Sequence, residues 1–396
     1  MNRQIKVIAD ANIPFLSGVL EPYAEVQYLS PAEIHRENVR GKDALLIRTR
    51  TKCNAQLLDG SSIKFIGTAT IGYDHIDTKY CESKHIRWIY APGCNSSSVT
   101  QYIASALLTI ARRKDIDLSE MTIGIVGVGN VGRKVATLAQ SLGMRVCLND
   151  PPRMRAEGKG GFVRLDELKD ESDVISFHVP LIKDGLDKTY HMADELFFAK
   201  LGRKTILLNT SRGPVVKTCA LKDAIKNGTI DTCVLDVWEN EPDIDQELLN
   251  MVDLATPHIA GYSADGKANG AAICVREINS FFNLGIDKNW YPSEIPSPSQ
   301  SREFFLNCRG KTNQEIISEA VLATYSIVRD DEVFRKSVGT FERQRNNYPV
   351  RREFPFYQIT LLHGNRDIGQ TLRDLGFKVV RNESKTFRDK SGGHNE

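Results

Sequence analysis

The sequence is short of the features that would place it in several broad classes. No stretch of its 396 residues approaches the ~20 consecutive apolar residues a membrane helix needs. The first apolar run, Ile5–Ala9, is too short for a secretion signal and no cleavage region follows, so a soluble cytoplasmic protein is expected. Charge of neither sign prevails: 52 Lys and Arg against 50 Asp and Glu leave a net charge of +2. That argues against nucleic acid or a membrane surface as partner. The eight cysteines are scattered, with no C-x-x-C and no paired His/Cys spacing. They read as reduced thiols, and neither a disulfide framework nor a metal site is expected.

What the chain does have is a passage from Thr122 to Asp150. An apolar run, Thr122–Val126, enters Gly127-Val128-Gly129-Asn130-Val131-Gly132; a helical pattern leaves through Val135, Leu138, Ala139 and Leu142; a second apolar run ends on Asp150. Gly127, Gly129 and Gly132 fit the G-x-G-x-x-G fingerprint of a dinucleotide site. The first closes the turn, the second admits a pyrophosphate and the third lets helix pack on strand. Asn130 and Val131 open the helix, whose N–H groups and positive dipole end would face the phosphates. Asp150 lies ~20 residues on, where a carboxylate holds the adenosine ribose. Its charge argues for NAD over NADP, although Arg153 close by could tolerate a 2′-phosphate.

Around this passage, short apolar runs alternate with helical patterns. Strands are expected at 5–9, 44–47, 64–67, 122–127, 145–149, 173–177, 205–209, 231–237, 253–256, 358–362 and 377–380. Ser96–Ser98 can cap a long helix, and a second long helix is expected from about Ala264 to Phe282. The fold class is α/β. A substrate domain begins at 1–95, a doubly wound nucleotide domain covers 96–257, and 258–288 returns to the first domain, leaving a cleft between them. A Pro/Ser-rich linker near 291–299 opens a small unit at 289–380, read as an oligomerisation module, and 381–396 is expected to be a disordered tail.

Three residues follow consecutive strands of the nucleotide domain: Arg212, Glu241 and His258. All stand at the sheet edge that carries the glycine turn. A guanidinium fork suits a substrate carboxylate. A histidine can take a hydroxyl proton at neutral pH, and a carboxylate beside it orients the ring. Singly, each has a plainer explanation: a surface charge, a Glu-Pro turn, a satisfied backbone contact. Asp236 could touch nicotinamide or simply close its strand. His178 reads as a backbone contact with cofactor or as plain packing, His75 as structural, and Arg48, Arg50 and Lys52 as either a phosphate pocket or a solvated strand end.

At these residues the chain resembles the D-2-hydroxyacid dehydrogenase family. The matching stretches are Gly67–Asp77, Gly127–Gly132, Ser211-Arg212-Gly213, Glu241-Pro242 and Pro257-His258-Ile259-Ala260-Gly261. The resemblance implies a Rossmann-type nucleotide domain, a discontinuous flavodoxin-like α/β substrate domain, and Arg212, Glu241 and His258 as catalytic residues with His258 the acid/base. Ala91–Ser96, Asp150–Arg153, Tyr325–Asp331 and Asn347–Phe354 are similar to the branch acting on 4-phospho-D-erythronate. That likeness implies NAD as cofactor and a small C-terminal α+β dimerisation domain, hence a homodimer. It carries cofactor contacts onto Asp150, Val179, Asp236 and Gly261, and substrate contacts onto Thr49, Thr70 and Tyr262. The substrate phosphate is expected to meet Arg48, Arg50 or the Arg351-Arg352 region of either subunit. Gln101 departs from the family, which usually has Glu there. The alternatives are another D-2-hydroxy acid, such as glycerate or its 3-phosphate, and a non-enzymatic NAD-sensing scaffold.

Overall fold

The computed structural model describes residues 4–158 and 160–381. Apart from Arg381, which ends the last strand, the tail expected over 381–396 lies outside the described residues.

Strands β1 (Ile5–Asp10), β2 (Ala24–Leu29), β3 (Ala44–Ile47), β4 (Phe65–Thr68) and β5 (Arg87–Ile89) form a parallel sheet in the order β2-β1-β3-β4-β5. This is the flavodoxin-like order, with its reversal between β1 and β3. Every residue of β3 and β4 is buried, as parallel strands covered on both faces require. One cover is the helix Ala264–Phe282, which places Ala271, Cys274, Val275 and Ile278 against Val7, Leu46 and Phe65.

A second parallel sheet holds β6 (Thr122–Val126), β7 (Arg145–Asn149), β8 (Val174–Phe177), β9 (Thr205–Asn209), β10 (Ile230–Leu235) and β11 (Leu254–Ala255), in the order β11-β10-β9-β8-β6-β7. A single parallel bridge, Leu148 to Phe162, continues it beyond β7. Counted with that bridge, the order is that of a Rossmann sheet whose outer strand is cut to one residue pair. The reversal falls between β6 and β8, beside the glycine turn.

The third sheet, β12 (Glu303–Asn307), β13 (Gln358–Leu362) and β14 (Lys378–Arg381), is also parallel. Helices Asn313–Thr324 and Arg366–Asp374 lie in its crossovers. The small unit is therefore α/β rather than the expected α+β, because parallel neighbours need crossover connections. Its core is not separate. One apolar cluster joins Ile316, Val321, Tyr325 and Ile327 to Tyr102, Ile103 and Leu107 of the helix Ser96–Lys114, and through them to Ile123 and Ile125 of β6. A unit this small gains a sufficient core by sharing one. Gln101, fully buried at this contact, donates to the Arg352 carbonyl at 3.1 Å, which an ionised Glu could not do.

Strands β2, β5 and β12 were not expected. β2 and β12 are edge strands with partly exposed faces, and β5 has three residues. Asn95, not a serine, precedes the helix Ser96–Lys114 and makes no side-chain cap; Ser96 Oγ donates back to the Gly93 carbonyl at 2.8 Å.

Candidate active site

The dinucleotide turn follows β6. Gly127 has φ +90°, and a Cβ there would lie 2.6 Å from the His178 carbonyl oxygen and 2.8 Å from Val179. A Cβ on Gly132 would lie 2.0 Å from the Gly127 carbonyl oxygen. The protein's own packing therefore demands these two glycines. Gly129 instead faces space with nothing within 4 Å, and the helix Asn130–Ser141 that begins beside it has no side-chain cap. Unpaired N–H groups with open space before them fit a pyrophosphate. Asp150 follows β7, accepting the Val128 N–H at 2.8 Å and the Arg153 N–H at 3.1 Å. Arg153 is not free for a 2′-phosphate: its guanidinium bonds both Glu157 oxygens, at 2.7 and 2.8 Å, and the Val128 carbonyl at 2.7 Å.

His258 and Glu241 meet beyond β10 and β11. His258 Nδ1 lies 2.8 Å from Glu241 Oε2, while Glu241 Oε1 accepts the Trp238 N–H at 2.9 Å. Burial raises the Glu241 pKa, but the attraction of His258, these hydrogen bonds and the charge of Arg345 bring it below the ordinary value. An ionised carboxylate can only accept, so Nδ1 carries the proton. Nε2 has no hydrogen-bond partner among the described residues, and the ring is 29% exposed. His258 itself sits at φ +57°, a left-handed position that costs a non-glycine residue about 1–2 kcal/mol.

Asp236 holds that position from one side. Its carbonyl accepts the His258 N–H at 2.7 Å, and its carboxylate accepts Ile259 N–H at 2.7 Å, Ala260 N–H at 2.9 Å and Thr256 Oγ1–H at 2.6 Å. Burial pushes its pKa up despite these bonds. The carboxylate is thus committed to the loop, and any nicotinamide contact is additional to that. Ser98 Oγ and the Arg351 guanidinium hold the Ala260 carbonyl from the other side.

Arg212 follows β9 and reaches across to the first sheet's loops. Its Nε and Nη2 each lie 3.0 Å from Asp74 Oδ2, and Nη1 donates to the Ser211 carbonyl at 2.7 Å. A Cβ on Gly72 would strike the guanidinium at 1.9 Å, so that loop lies directly on Arg212. In the same loop Thr70 Oγ1 donates to the Gly72 carbonyl at 3.0 Å. Thr49 is exposed just after β3, and Gly261 packs against Asn95. Tyr262 lies half-buried, edge-on to Tyr348 with centroids 6.2 Å apart. His178 and His75 are structural. Burial takes their pKa values to about 3 and about 4, and they bond Ser176 at 2.9 Å and Thr68 at 3.1 Å.

The expected phosphate contacts need correction. Arg351 is buried behind the His258 loop, its guanidinium 4.4 Å from the Tyr325 ring centroid. Arg352 is paired with Asp265 at 2.9–3.0 Å, and Arg50 with Glu342. Sequence reasoning left Asp74 without a role and missed Lys267 and Arg345, which folding alone brings to 5.0 and 5.6 Å from the Tyr262 ring centroid. Only a charge on the first turn of the helix Ala264–Phe282 could have drawn notice to Lys267.

Comparison with known proteins shows the family and the fold. Residues 101–260 match the D-isomer specific 2-hydroxyacid dehydrogenase, NAD binding domain, and residues 304–376 match a domain of unknown function. The erythronate-4-phosphate dehydrogenase of Bacteroides thetaiotaomicron is 48% identical over 90% of this chain and 99% of its own length. That of Porphyromonas gingivalis is 40% identical over 94% and 100%. Among solved structures, D-lactate dehydrogenase of Aquifex aeolicus, complexed with NAD and lactic acid, is 26% identical with a TM-score of 0.60, covering 74% of this chain and 100% of its own. The chain belongs to the erythronate-4-phosphate dehydrogenases of the D-isomer-specific 2-hydroxyacid dehydrogenase family.

Proposed function

We propose that the chain oxidises 4-phospho-D-erythronate to (R)-3-hydroxy-2-oxo-4-phosphooxybutanoate with NAD, an early step towards pyridoxal 5′-phosphate. The observation that carries this reading is the Glu241–His258 pair, whose ring is 29% exposed with Nε2 unpartnered among the described residues. Arg212 receives the C1 carboxylate in the place that Asp74 takes on its guanidinium. His258 Nε2 accepts the proton of the C2 hydroxyl as C2–O becomes a carbonyl, and Glu241 stabilises the imidazolium that forms. NAD, when bound along Gly127–Gly132 with its ribose at Asp150, supplies the hydride acceptor.

The test is NADH formation with 4-phospho-D-erythronate, D-glycerate and 3-phosphoglycerate. The first should have the highest kcat/KM. His258→Ala should lower it on the order of 10³-fold with NAD binding retained. Preference for one of the other acids, or normal turnover by that variant, would overturn the reading.

No helix among the described residues is long and apolar enough to cross a membrane. A cytoplasmic homodimer completes the proposal. Its support is the outer face of the third sheet, where Phe305 and Val380, both in register with Thr360, are 69% and 45% exposed.

A further inference from the structure

Beside Tyr262, immediately after the His258 loop, cations gather that no carboxylate fully neutralises. Lys267 Nζ stands 5.0 Å from the Tyr262 ring centroid and makes no hydrogen bond or ion pair among the described residues. Burial, then the charges of Arg48 and Arg351, lower its pKa to about 8. Arg345 lies 5.6 Å from the same ring; its side chain is 12% exposed, and among the described residues its Nε is buried without a partner and its only carboxylate contact is a loose 3.5 Å approach to Glu342. Among the described residues Arg48 bonds only the Asn12 carbonyl, at 3.2 Å.

These three side chains come from separate places: the end of β3, the first turn of the helix Ala264–Phe282, and the short helix Phe341–Asn346 of the small unit. Arg48 and Asn12 mark the reversal point of the first sheet, where ligands bind in such sheets. The charge of Arg345 is felt at Glu241, which puts it near the reacting end. Withdrawing cations from water without partners is costly, and an anion between them would offset that cost. The remaining candidates are committed elsewhere: Arg50 to Glu342, Arg352 to Asp265, and Arg351 to the back of the loop.

We propose that Lys267, Arg345 and Arg48 form the seat for the substrate's terminal phosphate, with Tyr262 as the wall between it and the reacting carbon. The small C-terminal unit then supplies, through Arg345, part of the specificity for a phosphorylated acid. This assignment rests on the reaction proposed above.

The test compares 4-phospho-D-erythronate with D-erythronate in Arg345→Met, Lys267→Met and Arg48→Met. Each change should lower the ratio of the two kcat/KM values about 10- to 100-fold, as loss of a charge-assisted contact would. The constant for competitive inhibition by inorganic phosphate should rise in parallel, and Arg345→Lys should recover part of the loss. NADH binding reports folding, and three elements carry the variants, so one unfolded variant leaves the test intact. If the wild type fails to oxidise 4-phospho-D-erythronate, the reaction itself is wrong. If it succeeds and the folded variants keep both the ratio and the phosphate inhibition, only the phosphate seat is wrong.

Discussion

At the scale of single residues, the proposed reaction depends on how one imidazole is held. Glu241 fixes the His258 ring through Nδ1, and the Trp238 N–H fixes Glu241 in turn. Glu241→Gln keeps the shape but removes the charge that favours the imidazolium. It should lower kcat on the order of 10²–10³-fold with little change in NADH affinity. Steady-state kinetics with fluorescence titration would show this, and an unchanged kcat would rule out the pairing as part of catalysis. The residue types of the Arg212, Glu241 and His258 set were legible because each follows a strand at one sheet edge. Their supports were not. Asp236 holding the His258 loop, and Asp74 lying on Arg212, are contacts between loops far apart in sequence, and no spacing rule exposes them.

At the scale of elements, the strands with continuous apolar runs were legible and the half-wet ones were not. The glycine turn could be read in order because one strand, one helix and a terminal carboxylate are local neighbours. The junction at the start of the helix Ala264–Phe282 could not. There Glu353 of the small unit accepts Ser263 Oγ–H at 2.8 Å in a buried setting, and burial raises its pKa from 4.5 to about 7. That value is the net outcome: the Ser263 bond, Lys134 and Arg351 oppose the rise, and Asp265 adds to it. A carboxyl group with a raised folded pKa contributes fully below its unfolded value, and that contribution is lost as pH rises through about 7. Glu353→Gln should therefore leave stability nearly unchanged at pH 4 and increase it by roughly 1–3 kcal/mol at pH 8. Denaturant melts at the two pH values test this, and equal effects at both would remove the ionisation as cause.

At the scale of the whole molecule, the small C-terminal unit is bound into the catalytic body in two ways. Its Ile316, Val321, Tyr325 and Ile327 share a core with the helix Ser96–Lys114, and its Arg351 reaches the back of the His258 loop. The sequence suggested a separate oligomerisation module after a Pro/Ser linker because linker composition is local, whereas the shared core appears only when residue 102 meets residue 325. Four such side chains are worth on the order of 6–12 kcal/mol, comparable with the stability of an entire domain. Removing the unit should thus unfold the nucleotide domain and not merely separate subunits. The outer face of its sheet is a different matter, since Phe305 contributes nothing to that core and stands 69% exposed. If this face joins two copies, Phe305→Asp should halve the mass measured by light scattering while the melting profile of each chain persists. The phosphate preference should persist as well, because Arg345 reaches the Tyr262 ring of its own chain. A variant that remains dimeric would place the subunit contact on another surface.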